Sequence, residues 1–180
     1  RLARLHRQLE APCGMRQHAS EPARHTIHIH LRKRFRPMTI DRSDINLHDV
    51  VQEVTREFLD YESALMRNDI AALNACFWDH QAVTRYGMGD KQLGHDALKA
   101  YRQAVLAPDF TRTLQDVRIS AFGPDVATAM CEFKRSDTPL HGFQTQTWVR
   151  MPAGWRIVSA HVSMVPTVAV TPTPQPKAKP

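Results

Sequence analysis

The sequence predicts an α+β domain, with helices from about residue 46 to 106 around one short strand and then strands from about 113 to 165. Two observations carry that prediction. Val50, Val54, Phe58, Tyr61 and Leu65 recur at helical spacing on one face. Further on, HGFQTQTWVRM and WRIVSAHVSMV flank a PAG turn and read as a β-hairpin. Helices followed by consecutive strands build a curved antiparallel sheet wrapped over the helices, leaving a pocket between the layers.

Each element has its own signal. Ser43 and Asp44 are good N-cap types and open a first helix over about residues 45 to 67. Asn68 and Asp69 break it and can cap a second, short helix through Ile70, Leu73 and Phe77. QAVTRYGM then alternates as a strand does, with Val83, Arg85 and Gly87 on one side and Thr84, Tyr86 and Met88 on the other. Gly87, Gly89 and Gly94 mark a loop. A third helix is expected from about His95 to Leu106, burying Leu98, Tyr101 and Val105, and Pro108 stops it. Strands at about 113 to 122, 125 to 135, 141 to 151 and 154 to 165 are separated by GPD, SDTP and PAG, so the four make a meander.

The chain divides into a basic extension over residues 1–43, the α+β domain over 44–166, and a Pro-rich tail over 167–180. The net charge of +6 is unevenly placed: residues 1–37 carry nine Lys and Arg against Glu10 and Glu21, and the rest carries fifteen against sixteen acids. A nucleic-acid or membrane partner is therefore not expected for the domain. The extension is Arg-rich and acid-poor, as organellar transit peptides are. His25, His28 and His30 stand there beside Arg32, Lys33 and Arg34, and a solvated basic segment accounts for them as well as a metal site does. From Pro166 on, five of fifteen residues are proline, an extended composition. Cys13, Cys76 and Cys131 are too scattered for a disulfide framework or a zinc site, which suits a reducing cytosol, and no apolar run is long enough to span a membrane. A cytoplasmic chain without metal or cofactor is the expectation.

Arg85 is the first candidate for chemistry, because its same-face neighbours Val83 and Gly87 look buried. A buried guanidinium needs a carboxylate or a bound anion. The alternatives are an internal ion pair, for example with Glu132 or Glu62, and a clamp on a substrate carboxylate. Tyr61 lies on the apolar stripe of the first helix, either as a satisfied core tyrosine or as a proton donor on the pocket wall. In the hairpin, Gln144, Gln146, Trp148 and Arg150 share one face, while Trp155, Ile157, Ser159, His161 and Ser163 share another. Gln146 and Trp148 would offer hydrogen bonds beneath an aromatic wall. His161 is a candidate base or a structural histidine. Arg102 and Arg150 are candidate second clamps. Nucleotide-cradle, nucleophile-elbow and zinc-protease motifs are absent from the sequence.

FLDYESALMRNDIAALNACFWDHQAVTRYGMGDKQLGHDALKAYRQA followed by QTQTWVRMPAGWRIVSAHVS resembles the nuclear-transport-factor-2-like, or SnoaL-like, α+β cone superfamily. Within it, the RYG strand, the closing hairpin and the tyrosine of the first helix resemble a small hydrolase family. That family includes oxalurate-catabolism proteins and the cyanuric-acid pathway enzyme that converts 1,3-dicarboxyurea to allophanate. The resemblance covers about residues 46 to 165. It implies a cone-shaped curved sheet packed on three N-terminal helices, a homodimer, and a site in which Tyr61 and Arg85 are catalytic; Gln146, Trp148, His161 and Arg102 are the substrate-binding candidates that the residues themselves offer beside that pair. It also implies a small anionic ureide as substrate. The competing expectation is a non-catalytic, dimeric, carboxylate-binding subunit serving a neighbouring amidase.

Overall fold

The structure is a computed structural model and describes residues 39–167. The expectations for the basic extension with its histidines, and for the Pro-rich tail beyond Thr167, lie outside the described residues. The elements run α1 (His48–Met66), α2 (Ile70–Cys76), β1 (Thr84–Tyr86), β2 (Lys91–Leu93), α3 (His95–Ala104), β3 (Arg112–Ala121), β4 (Val126–Arg135), β5 (His141–Met151) and β6 (Gly154–Val165). One six-stranded sheet has the order β2-β1-β6-β5-β4-β3. The fold is α+β, three helices against a curved sheet, and its last four strands form the antiparallel meander that their spacing predicts.

Three local features differ from expectation. Ser43 and Asp44 do not cap α1; they sit in a one-turn 3-10 helix at Arg42–Asp44. Asn46, in the left-handed region at φ 56°, takes over the task of fixing the start of α1. Its backbone N–H donates to the Ala121 carbonyl, and its Oδ1 accepts from the Ala121 N–H, both at 3.0 Å. The segment read as a glycine loop contains β2, which pairs antiparallel with β1, while β1 pairs parallel with β6. The third helix stops at Ala104, so Val105 is 46 % exposed instead of buried. Asp69 does cap α2, accepting from the Ala72 N–H at 3.0 Å.

The core forms where the α1 stripe meets the inner face of the meander. Val54 and Phe58 of α1 and Ala127, Ala129, Trp148 and Ile157 of the sheet are fully enclosed. Burying each large apolar side chain contributes roughly 1.5–3 kcal/mol. The small residues on β4 let the sheet approach α1 closely. A β-bulge interrupts the β5–β6 register, pairing Trp148 with Ile157 but Thr147 with Ser159, so Val158 is the extra residue. One inserted residue reverses the alternation beyond it. Trp155 and Ile157 therefore face inward before the bulge, and Ala160 and Val162 do so after it. This reversal decides which hairpin residues reach the pocket.

Candidate functional site

Between α1, α2, α3 and the β1–β6 edge lies a cavity of about 110 Å³. Its wall brings together Tyr61 from α1, Arg85 from β1, Tyr101 and Arg102 from α3, and Val162 from β6. Leu65, Ile70 and Leu73 supply the apolar part, and Val105, Leu106 and Pro108 form the rim. A second hollow of about 460 Å³ shares Leu65, Arg85, Tyr101 and the rim residues and extends past Met88 and Asp90. Pockets for drug-sized ligands run to roughly 300–1,000 Å³. The inner cavity suits a compact acid.

Tyr61 is 4 % exposed, and its ring meets Phe77 edge-on with centroids 6.2 Å apart. Phe77 also carries Arg102, whose guanidinium carbon lies 5.3 Å from the ring centroid. One buried phenyl ring thus spaces the phenol and the guanidinium. The Tyr61 hydroxyl has no hydrogen-bond partner among the described residues. Arg102 is 8 % exposed, yet its Nε and Nη2 are buried without a partner. Such orphaned donors on a cation cost several kcal/mol unless something binds them. An anion in the cavity would supply the missing acceptors.

Arg85 is differently provided for. The internal ion pair among the alternatives for Arg85 is present, but its partner is Asp90 and not Glu132 or Glu62, since Glu132 accepts from His141 at 2.6 Å and Glu62 lies 3.4 Å from Arg112. Arg85 instead donates through Nη1 to Asp90 Oδ1 at 2.7 Å and to Gln92 Oε1 at 2.8 Å. Its guanidinium stacks 4.8 Å from the Tyr101 ring centroid. Nη1 is engaged, while Nε and Nη2 have no partner among the described residues. Gln92 faces Arg85 because the two are Cα partners across β1 and β2.

The hairpin's site candidates do not join this cavity, whose wall takes only Val162 from the hairpin. Gln146 and Trp148 are buried at 1 % and 0 % exposure in the core, where Trp148 Nε1 donates to Gln146 Oε1 at 3.1 Å, and neither lines the cavity. Gln144 is held by Glu62 and Arg112. His161 is exposed and turned away, because the bulge at Val158 puts Val162, and not His161, on the inner face. Arg150 pairs with Glu53 at 2.7 Å at the far end of the sheet. Of the six site candidates, Tyr61, Arg85 and Arg102 meet in one cavity. Sequence reasoning missed Phe77 as their platform, Tyr101 as a wall, and Asp90 and Gln92 as partners. The alternation of β2 was the signal that could have found Gln92. Among the described residues no cluster of three or more His, Cys, Asp or Glu is placed to hold a metal ion, and no helix is long and apolar enough to cross a membrane.

The AtzH-like family model matches residues 43–167, which include every residue of this cavity. A protein of unknown function from Pectobacterium atrosepticum SCRI1043, assigned to a family designated DUF3225, is 41 % identical; the match covers 71 % of this chain and 99 % of that one, with a TM-score of 0.69. A cystatin-like fold protein from Burkholderia xenovorans LB400 is also 41 % identical, over 69 % and 98 % of the two chains, with a TM-score of 0.67. An NTF2-like protein of unknown function from Pseudomonas putida KT2440 shares the fold at 18 % identity, over 73 % and 97 %, with a TM-score of 0.58. None of the curated proteins matches this chain.

Proposed function

This chain belongs to the AtzH-like family, and from that premise together with the cavity we propose that it is an enzyme acting on a linear N-carboxylated urea, converting 1,3-dicarboxyurea to allophanate in cyanuric acid breakdown. The observation that carries the reading is Arg102, with two buried N–H donors unpartnered on the wall that Tyr61 and Arg85 share. A dianion fits two guanidinium groups in one small cavity. No carboxylate lines the inner cavity, so Arg102 meets no fixed negative charge there, while Asp90 pairs with Arg85 from outside it.

In this reading Arg102 binds one carboxylate and Arg85 orients the molecule, holding it as a reactive conformer. The bond that breaks joins the other carboxylate carbon to its nitrogen. Its electron pair stays on nitrogen, carbon dioxide leaves, and Tyr61 delivers the proton that nitrogen takes up, regaining one from solvent. Adding water to the same carbon gives allophanate and bicarbonate, with Tyr61 positioning the water. Both routes balance.

The second reading, a carboxylate-binding subunit of an amidase, uses the same two arginines. The accompanying homodimer is supported by Val126 and Met130, which stay 36 % and 50 % exposed on the sheet face turned away from the helices. Tyr61 separates the two readings. The test is carbon dioxide release and allophanate formation from fresh 1,3-dicarboxyurea against an enzyme-free control. The enzyme reading expects acceleration that falls about a hundredfold or more in Tyr61→Phe and is lost in Arg85→Ala. The binding reading expects no acceleration, with dicarboxylate affinity in Tyr61→Phe changed by only about 1 kcal/mol.

A further inference from the structure

We propose that Asp90, Gln92 and Gly87 form a device that positions Arg85, so that residues outside the inner cavity set the aim of a guanidinium within it. This deepens the reading above, which needs Arg85 in one orientation. Arg85 stands on a strand of three residues beside an open groove, and an arginine so placed would otherwise sample several rotamers. A closed ring of hydrogen bonds removes that freedom. Nη1 donates to Asp90 Oδ1 and to Gln92 Oε1, and Gln92 Nε2 donates back to the same Asp90 oxygen at 2.9 Å. Gln92 is 5 % exposed and anchored by strand register, so it is the fixed member. Asp90 is the adjustable one.

Gly87 makes room for Asp90. Its N–H donates to the Asp90 carbonyl at 2.8 Å, closing the turn. A Cβ at Gly87 would lie 2.6 Å from both Asp90 carboxylate oxygens, well inside contact distance. Gly87 is not among the positive-φ glycines, so the missing side chain answers to the Asp90 carboxylate and not to the backbone. An added methyl group can be relieved by swinging the Asp90 side chain away, which leaves the fold intact and undoes the ring. Asp90 also offsets part of the Arg85 charge. Arg102 then supplies the attraction for an anion and Arg85 the direction.

The experiment compares wild type with Asp90→Ala, Asp90→Asn, Gly87→Ala and the Gly87→Ala/Asp90→Ala pair in the full chain. Rotation of the Arg85 guanidinium about its Cζ–Nε bond, read by NMR without ligand, is expected to be slow in wild type and Asp90→Asn, which keeps an acceptor oxygen. It is expected to be fast in Asp90→Ala and Gly87→Ala. Turnover of 1,3-dicarboxyurea should fall about ten- to a hundredfold in kcat in the same two variants, the scale of a misplaced reacting group. The pair should be no worse than Asp90→Ala alone, because the clash disappears with the carboxylate. Unchanged rotation in Asp90→Ala, or additive losses in the pair, overturns the proposal. If rotation behaves as expected while wild type does not turn over the ureide, the positioning stands and the substrate reading falls.

Discussion

Arg102 and Arg112 are both almost wholly buried, and both lie over a phenylalanine ring, yet only Arg112 has a carboxylate beside it. The Arg112 side chain is 6 % exposed, with its guanidinium carbon 3.6 Å from the Phe133 centroid. Its Nη2 donates to Gln144 Oε1 at 3.0 Å, and its Nε stands 3.4 Å from Glu62 Oε2, close enough to pair the charges though not aligned as a hydrogen bond. Gln144 Nε2 closes the set on Glu62 at 2.6 Å. Gly142 has no Cβ because the Phe133 ring occupies that space. Arg102 has a ring below it and no carboxylate. Burial alone therefore does not mark a functional arginine in this fold. A buried charge left without a counter-charge does.

The sharpest way to break that comparison is to remove each guanidinium. Arg112→Met strands the buried Glu62 carboxylate, and denaturant unfolding should show a loss of about 3–5 kcal/mol. Arg102→Met removes donors that the fold leaves unpaired, so the same measurement should show no loss. Its cost should appear in activity, as a rise in KM for 1,3-dicarboxyurea of about a hundredfold, within the ~2–5 kcal/mol scale of a desolvated charge contact. Equal stability losses in both variants would erase the distinction.

A smaller effect comes from filling the cavity. Malonate, a dicarboxylate without the scissile C–N bond, should raise the unfolding free energy by about 2.7 kcal/mol at a hundred times its Kd. In Arg102→Met the gain at the same malonate concentration should nearly vanish, whereas in Asp90→Asn it should persist. Calorimetry across malonate concentrations reads both. A gain retained in Arg102→Met would move the anion site elsewhere.

Much of this organisation was legible in the sequence, with limits of a physical kind. Helical periodicity placed Tyr61 on the inner face of α1, and alternation placed Arg85 on the inner face of β1. The hairpin was read to the residue because its turn is punctuated by Pro152 and Gly154. Alternation then misplaced His161, since a bulge leaves no mark in the pattern and reverses every side chain beyond it. Which hairpin face turns inward is not given by alternation; Gln146 and Trp148 do face inward, but that face is packed core at their level, and depth along a strand is not a property of its period. The Glu62–Arg112 pair was missed because its members are about fifty residues apart and meet only when β3 folds over α1. The parallel pairing of β1 with β6 is a long-range event of the same kind. It completes the cavity by setting Arg85 beside Val162.

The smallest effect concerns Glu62, the carboxylate beside Arg112. Burial pushes the Glu62 carboxyl above its ordinary range, while the nearby Arg112 charge and the Gln144 hydrogen bond pull it partway back. A carboxyl raised in the folded state binds its proton more tightly there than in the unfolded chain. Its contribution therefore favours folding fully below the ordinary glutamate range and is lost as pH rises through the raised value. Exposed carboxylates act oppositely: Glu53 is held low chiefly by its hydrogen bond from Trp155, and Asp137 chiefly by that from Arg135. Their stabilisation is present above the ordinary range and is lost as pH falls. The overall pH profile mixes both signs, so the difference between wild type and Glu62→Gln isolates the buried group. Urea midpoints measured from pH 4 upward should show the wild-type advantage over Glu62→Gln shrinking as pH rises through that interval. An advantage that grows with pH would mean that Arg112 outweighs burial, making the pair a net source of stability in its charged form.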